Sequence, residues 1–249
     1  MNDKILNKTY LTPSWGLFVG KFDDNVLHKH YAIQVSLASR GHLTVTDQYN
    51  TQKDFTSCYI NSNVLHQFTS AQATLILLIN PLSSVGHMLS KKHQKTSITS
   101  LNHDLKKLSD VFNSYLLAPD EFTDFTDKIC QVLIDFKCGC EAENHVGDDR
   151  IYRAIQYLEQ NFDRVVSLKE IANNCFLSET RFLHLFKEQT NLNFRRYQIW
   201  NKLIKSLSLV QTQSLIETAH QFGFTDSSHY NRAFKETFGL SPKFLSKLK

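Results

Sequence analysis

Two predicted helices near the C-terminus carry hydroxyl, imidazole and basic side chains at intervals of three or four residues, on one side of each helix. Such side chains hydrogen-bond to base edges in the major groove of DNA and neutralise the flanking phosphates. They therefore predict recognition of double-stranded DNA. The predicted DNA-binding residues are Thr180, Arg181, Leu183, His184 and Lys187 on the first helix, Arg195 and Arg196 after it, and Ser227, Ser228, His229, Arg232 and Lys235 on the second.

A second set of chemically capable residues lies in the N-terminal part of the chain. His28 and His30 are followed by Gln34 and, further along, by His66. Three imidazoles can ligate a divalent metal, contribute to a metal-free effector pocket at the mouth of a β-barrel, or pack inside a barrel without further function. Because Gln34 lacks the negative charge of a carboxylate ligand, we predict effector binding by these four residues, with no metal and no cofactor.

The elements that would carry the histidines read as β-strands. Apolar residues alternate at Ile33, Val35 and Leu37, and turn-like residues separate such runs up to about residue 80. This period of two predicts a β-rich domain over residues 1–87.

The following stretch, residues 88–137, changes to helical spacing. Leu101, Leu105, Leu108 and Phe112 are four, three and four residues apart, and a second apolar set follows from Phe122 to Phe136. These stripes are explained equally well by core packing and by a dimer seam, because the heptads are not sustained.

Residues 138–149 contain two glycines and four acidic residues and lack periodic apolar positions, which predicts a linker. Cys138 and Cys140 open this segment. A metal at this pair has no second pair of ligands close by in the sequence, so an ordinary linker is the favoured interpretation. The five cysteines form a sparse, odd set, typical of reduced thiols in a cytoplasmic protein.

An internal repeat follows the linker. Ser, Leu, Glu and Ala coincide when residues 167–172 are set over residues 214–219, and Phe-Lys-Glu coincides at 186–188 and 234–236. Each unit reads as a short helix, a tight turn and a longer helix, the order of a helix-turn-helix. One exposed polar face is ordinary helix surface as often as a binding face, but duplication at equivalent positions favours paired recognition helices. The predicted inward residues are Phe182, Leu185 and Phe186 in the first unit and Tyr230, Ala233 and Phe234 in the second.

These residues make residues 150–249 resemble the DNA-binding domain of the AraC/XylS family of bacterial transcription regulators. The resemblance rests on Ser167-Leu168-x-x-Ile171-Ala172, on Gly223-Phe224-x-Asp226-x-Ser228-x-Tyr230-x-Arg232, and on Phe238-Gly239-Leu240-Ser241-Pro242. It implies two helix-turn-helix units joined by a central helix, here about 194–210, which enter successive major-groove segments roughly one helical turn (~34 Å) apart.

Three positions depart from the family pattern. Phe176 stands in the first turn where glycine is frequent, which predicts either another turn geometry or local strain. His184 replaces a frequent arginine, so a weaker, pH-dependent contact is expected. Lys202 lies where the central helix of the family carries an internal ion pair, which is therefore expected to be absent.

The N-terminal domain resembles the cupin-like sensory domain that precedes this DNA-binding domain in many family members. His28-Lys29-His30, Gln34 and Gly41 follow the spacing of the first cupin motif, and His66 ends a degenerate second one. The resemblance implies a small-molecule sensor. The alternative is a metal-dependent cupin enzyme that carries a DNA-binding tail.

Charge and composition agree with the DNA-binding prediction. Residues 150–249 carry a net charge of +7, whereas residues 1–149 carry −3. No run is long and apolar enough for a membrane span, and the N-terminus lacks a secretory pattern.

We therefore predict an α+β fold of two domains: a cupin-like β-barrel with following helices, then an all-α domain with two helix-turn-helix units. The predicted function is that of a cytoplasmic, non-enzymatic transcription regulator controlled by a small-molecule effector. Its predicted macromolecular partners are double-stranded DNA, a second copy of the chain and RNA polymerase. We predict no association with a membrane.

Overall fold

A computed structural model describes residues 8–22, 25–101, 105–118, 122–136, 138–140, 145–210 and 212–245. The chain divides into two compact units. Unit 1 comprises residues 1–141 with Phe238–Leu240, and unit 2 comprises residues 142–237 with Ser241–Ser246; the last three residues, assigned to unit 1, lie outside the described ranges. The division falls inside the segment that the sequence predicts to be a linker.

Unit 1 is built on antiparallel strands. The strands are β1 (Lys8–Leu11), β2 (Trp15–Phe22), β3 (Ile33–Ala38), β4 (Leu43–Asp47), β5 (Gln52–Phe55), β6 (Ser57–Ile60), β7 (His66–Ile79) and β8 (Ile98–Ser100). One path of pairings runs β1-β2-β7-β3-β6-β8, while β4 pairs with β5 and with the first residues of β7. The long strand β7 therefore belongs to two sheets, and His66 lies at its start, opposite Asp47.

Alternation along the strands separates the two faces of the larger sheet. Ile33, Val35 and Leu37 belong to a buried apolar cluster that includes residues of three helices. Gln34 and Ser36 point to the opposite side and are equally buried. The sequence pattern thus sends apolar residues to one face and places polar residues, in a buried environment, on the other.

Three helices accompany the sheet: α1 (Ser84–Lys92), α2 (Lys106–Leu117) and α3 (Phe122–Ile134). The apolar stripes of α2 and α3 are buried in the core of unit 1, so core packing accounts for them. One detail of the sequence prediction is wrong, because β8 lies inside the stretch 88–137 assigned to helices and pairs with β6. Three residues are too few to show a period of two.

Unit 2 consists of helices in its described part. They are α4 (Asp149–Gln160), α5 (Leu168–Asn174), α6 (Glu179–Thr190), α7 (Phe194–Ser206), α8 (Leu215–Gln221), α9 (Ser227–Phe238) and α10 (Pro242–Leu245). The central helix α7 ends at Ser206 instead of about residue 210, and residues 207–210 continue as turns. Throughout the described part of the chain, the helices are too short or too polar to cross a bilayer.

Candidate nucleic-acid interface

The first helix of each repeated unit begins with the same reciprocal cap. The Ser167 hydroxyl accepts the Glu170 N–H at 3.1 Å, and the Glu170 carboxylate accepts the Ser167 N–H at 3.4 Å. Ser214 and Glu217 repeat both bonds at 3.2 and 3.1 Å. This capping box satisfies backbone donors that a helix start leaves unpaired.

The turns between the helices also repeat. Phe176 and Gly223 both adopt a left-handed backbone conformation, with φ of 56° and 63°. The next residue in each unit donates its N–H to the alanine carbonyl of the preceding helix, Leu177 to Ala172 and Phe224 to Ala219, both at 2.9 Å. These are the bonds of a Schellman-type helix end, so the first turn keeps the geometry of the second despite its phenylalanine.

The inward faces of α6 and α9 are buried as the sequence predicts. Phe182, Phe186, Tyr230 and Phe234 are completely shielded from solvent. Leu185 and Ala233 are buried beside them.

Both recognition helices are anchored on α7. The rings of Phe182 and Phe186 meet Phe194 edge-on, with centroids 5.3 and 5.8 Å away. For the second helix-turn-helix unit, the hydroxyl of Tyr230 on α9 lies 2.9 Å from the hydroxyl of Ser206 on α7. One helix therefore fixes the positions of α6 and α9 relative to each other within unit 2.

Lys202 provides a further bond from α7 to the second turn. Its ammonium group donates to the Gly223 carbonyl at 3.1 Å. Burial lowers the pKa of Lys202, while the nearby Asp163 raises it. The buried cation is thus stabilised by a turn carbonyl.

The outward faces of α6 and α9 are accessible. Eleven of the twelve predicted DNA-binding residues are exposed, and Ser227 is half-buried. Each helix begins at a side-chain cap: the Ser178 hydroxyl accepts the Arg181 N–H, and the Asp226 carboxylate accepts the His229 N–H at 2.8 Å. The caps fix where each helix starts and hence which residues its first outward turn presents.

The two outward faces correspond residue by residue at a separation of 48 positions. The matched pairs are Thr180 with Ser228, Arg181 with His229, His184 with Arg232, and Lys187 with Lys235. Each face thus offers hydroxyl, ring and cationic donors, which suits base edges and phosphates. Arg195 and Arg196 are exposed in the first turn of α7, where Asn193 caps the helix.

In unit 1, the structure brings the four predicted effector residues together. His28, His30 and His66 are almost fully buried, and their ring centroids lie 4.5 to 5.6 Å apart. Each ring has its Nδ1 atom 2.8 or 2.9 Å from a backbone carbonyl. The Nε2 atom of His66 is buried without a hydrogen-bond partner.

Burial also decides the charge of these rings. It lowers the pKa of His28 to about 3, with the neighbouring His30 as the second cause. Burial likewise lowers the pKa of His30 and lowers that of His66 further. All three imidazoles are therefore neutral near pH 7.

Gln34 completes the cluster. Its Oε1 lies 3.0 Å from Nε2 of His30, and its Nε2 lies 3.0 Å from the Ser36 hydroxyl. A neutral His30 whose Nδ1–H donates to the Ala32 carbonyl has only a lone pair at Nε2. The reversed amide, donating to His30 and accepting from Ser36, satisfies all these groups.

The spacing of the three imidazoles would also allow an ion to bind. The ligand atoms of the three rings lie within 4.8 Å of one another, and the backbone carbonyls orient the rings as outer partners do in metal sites. His28, His30 and His66 are the residues that could hold such an ion.

A cavity of about 500 Å³ lies beside the segments that carry the cluster. Its wall includes Lys29 and Lys53 together with the apolar Val64 and Leu65. This wall could not be predicted from the sequence, because its residues come from four separate segments and follow no period. The single available signal was Lys29, which stands between two of the predicted histidines.

Comparison with known proteins finds similar chains among transcription regulators. Residues 171–247 match the family described as "Helix-turn-helix domain". The chain is 23% identical to the probable transcriptional regulator LumQ of Photobacterium leiognathi, over 86% of this chain and 88% of that protein. It is 27% identical to the transcriptional activator RhaS of Yersinia pestis, over 76% of each.

The fold is shared with solved structures of ToxT from Vibrio cholerae. An apo variant from strain SCE256 has a TM-score of 0.63 at 16% identity, covering 96% of this chain and 99% of that chain. The unsaturated fatty acid-bound wild-type protein has a TM-score of 0.58 at 14% identity, covering 96% and 98%.

The repeated caps, turns and faces thus define a DNA-binding protein with two helix-turn-helix units. Taken with the matched domain and the related regulators, they make the chain similar to AraC/XylS-type transcription regulators, the family that its sequence resembles.

Proposed function

We propose that this regulator recognises a specific DNA sequence with two helices at once, α6 and α9. The observation that carries the proposal is the duplication of one exposed donor face at matched positions, on helices anchored to the same α7. Surface residues without a shared role have no reason to repeat a hydroxyl, an imidazole, an arginine and a lysine at the same four positions, with only the imidazole and the arginine exchanged. Thr180, His184, Ser228 and Arg232 would meet base edges, and Lys187, Lys235, Arg195 and Arg196 the phosphates.

The test is selection of bound sequences from random duplex DNA by the full-length protein. We expect an enriched motif with two boxes about one helical turn apart. Selection with His184→Ala should degrade one box, and selection with Arg232→Ala should degrade the other. Failure to enrich any motif would contradict sequence-specific binding.

We further propose that a small-molecule effector binds unit 1 and controls the DNA-binding state. The cavity near the histidines has the size of a small organic ligand, for which about 300–1,000 Å³ is usual. Its lining is mixed: Lys29 and Lys53, beside Asp47, can receive a carboxylate, and Phe55, Val64 and Leu65 can contact an apolar body. Two ToxT structures contain ligands of this chemistry, an unsaturated fatty acid and a substituted butenoic acid.

His28, His30, Gln34 and His66 contribute by holding the wall of this cavity. The backbones of His28 and His66 pair through two bonds of 2.9 Å, and the His66 ring bonds to the carbonyl of Val64, which lines the cavity. The cluster thereby joins the segment around Lys29 to the segment before His66.

Binding of a medium-chain unsaturated fatty acid, measured by calorimetry, tests the effector proposal. We expect saturable binding that Lys29→Gln weakens and that the matched methyl ester does not reproduce. Equal binding of acid and ester, or an unchanged affinity in Lys29→Gln, would contradict it. The control is Lys8→Gln, which removes a lysine of β1 that does not line the cavity.

The cytoplasmic location, the homodimer and the contact with RNA polymerase belong to the same proposal. The stripes of α2 and α3 are used inside unit 1, so a dimer would rely on other residues, such as the exposed Leu117 and Ile134. Sedimentation of wild type against Leu117→Ser checks this surface, and an unchanged association constant would remove it.

A further inference from the structure

A second group of metal-ligating side chains lies in unit 1, apart from the buried histidines. His87 on α1 and the two cysteines that follow α3, Cys138 and Cys140, bring their ligand atoms within 4.8 Å of one another. The Cys140 sulfur is 3.7 Å from Nδ1 of His87 and 2.8 Å from the Cys138 sulfur. Both cysteines are thiols.

The cluster has a defined support. Ser84 and His87 are three residues apart on α1 and therefore lie on the same face of the helix. The Ser84 hydroxyl accepts the Cys138 N–H at 3.1 Å and lies 3.4 Å from the Cys138 sulfur. One face of α1 thus holds the cysteine segment at Cys138 and supplies an imidazole to it.

Helix α1 is itself closely seated. A Cβ atom on Gly86 would lie 2.0 Å from the Asn80 carbonyl oxygen, so α1 packs directly against the chain that leaves β7. A Cβ atom on Gly139, by contrast, would meet nothing within 4 Å. The site therefore combines a fixed side, α1, with an open loop that can adjust its cysteines.

We propose that His87, Cys138 and Cys140 bind a thiophilic divalent ion of the Zn²⁺ class. Two thiolates and one imidazole are a donor set that zinc prefers, and their convergence requires no rearrangement of α1. In a tetrahedral zinc site, with Zn–S bonds of about 2.3 Å, the two sulfurs would stand about 3.8 Å apart. The loop must open by about 1 Å to reach that separation, which the free space around Gly139 allows.

The make-up of the cluster also agrees with an ion. A disulfide would involve the two cysteines alone and would not explain why His87 lies beside them. The fourth coordination position of a tetrahedral site is available to water.

Cobalt titration of the reduced, metal-stripped full-length protein tests the proposal. We expect a thiolate-to-cobalt charge-transfer band that saturates at one ion per chain and disappears when Zn²⁺ is added. This band requires sulfur ligands, so cobalt at the buried histidines does not produce it. Cys138→Ser and Cys140→Ser should remove most of the band, and His87→Ala should weaken cobalt binding by at least about tenfold.

Two controls isolate the cluster. Cys130→Ser removes a cysteine of α3 outside the group, and His28→Ala removes a ring of the other histidine cluster. Both should keep the band at wild-type intensity, and circular dichroism should show that all variants retain their helices and strands.

Three results would overturn the proposal. One is a wild-type protein without a thiolate band, and another is a band that survives both cysteine substitutions. The third is a chain that binds no cobalt when reduced but forms a Cys138–Cys140 disulfide with oxidised glutathione, since this would identify a redox pair instead.

Discussion

Phe176 and Gly223 hold the same left-handed backbone conformation at equivalent positions of the two helix-turn-helix units, 47 residues apart. Glycine adopts this conformation without steric cost, whereas for other L-residues it costs about 1–2 kcal/mol. The side chain of Phe176 is 84% exposed, with the Arg153 guanidinium 5.9 Å from its ring centroid. The turn geometry is thus imposed by the surrounding helices, and Phe176 bears the strain.

Replacement of Phe176 by glycine should therefore stabilise unit 2. We expect the free energy of unfolding to rise by about 0.5–1 kcal/mol, because relief of strain exceeds the lost contact with Arg153 and the greater entropy of glycine in the unfolded chain. Denaturant unfolding followed by Trp200 fluorescence measures this change.

The matched control is Gly223→Ala. The added Cβ atom would lie 2.3 Å from the Asp163 carbonyl oxygen and 2.8 Å from Nζ of Lys202, so we expect a loss of about 2 kcal/mol or more. Destabilisation by Phe176→Gly would show that the phenylalanine ring contributes more than its backbone costs.

Arg232 should read a base edge. We expect Arg232→Ala to weaken binding to the selected DNA by about 1–3 kcal/mol, a loss of roughly 5-fold to 160-fold, with relaxed preference in one box. Fluorescence anisotropy with the selected site and its single-base variants measures both effects. Lys243→Ala, in α10 outside both recognition helices, should leave the affinity unchanged. An equal loss on every sequence would make Arg232 a phosphate contact.

Lys187 should act through charge alone. We expect Lys187→Ala to weaken binding to all duplexes by similar factors and to reduce the slope of log K against log salt by about 0.9, since one counterion fewer is released. Affinities at several salt concentrations give the slope. The same slope as wild type would place Lys187 away from the phosphates.

The buried histidines should make unit 1 less stable in acid. Because the folded pKa of His28 is about 3, the unfolded chain takes up a proton below about pH 6.5 that the folded chain refuses. The free energy of unfolding should therefore fall as the pH falls from about 6.5 towards 3, by up to about 1.4 kcal/mol per pH unit for this ring.

Trp15 fluorescence in a Trp200→Phe background reports unfolding of unit 1, because Trp15 lies in β2. In metal-stripped protein, His28→Gln should reduce the pH slope between about pH 6 and 4, whereas His42→Gln, at an exposed position, should not. A slope that His28→Gln leaves unchanged would show that His28 is charged in the folded state.

The sequence predicted unit 2 better than unit 1, for a physical reason. Capping residues and helical stripes act locally, so Ser167 with Glu170 and the buried Phe182 and Phe186 could be assigned from spacing. The conformation of Phe176 depends on tertiary packing, which overrides its local preference. The sequence alone therefore allowed either a different turn geometry or a strained left-handed one.

In unit 1 the informative contacts are long-range. The segments around His28 and His66 are 38 positions apart and meet by strand pairing. Only the resemblance to the two cupin motifs linked these segments in the sequence. The cavity wall and the approach of His87 to Cys140 have no local pattern at all. Cys138 and Cys140 were interpreted as ordinary linker residues because no further ligands lie close to them in sequence. His87 on α1 is distant in sequence and was therefore not included.

Recognition of two DNA boxes requires that α6 and α9 bind at the same time. The decisive measurement is the affinity of the full-length protein for the selected site with five base pairs inserted between its two boxes, compared with the uninterrupted site. Half a helical turn moves one box to the opposite face of the duplex, so we predict a large loss of affinity. DNA with a single box should show the same loss. Insertion of ten base pairs should restore part of the affinity if the DNA bends. Unchanged affinity after the five-base-pair insertion would show that one helix-turn-helix unit binds alone and would contradict simultaneous binding by α6 and α9.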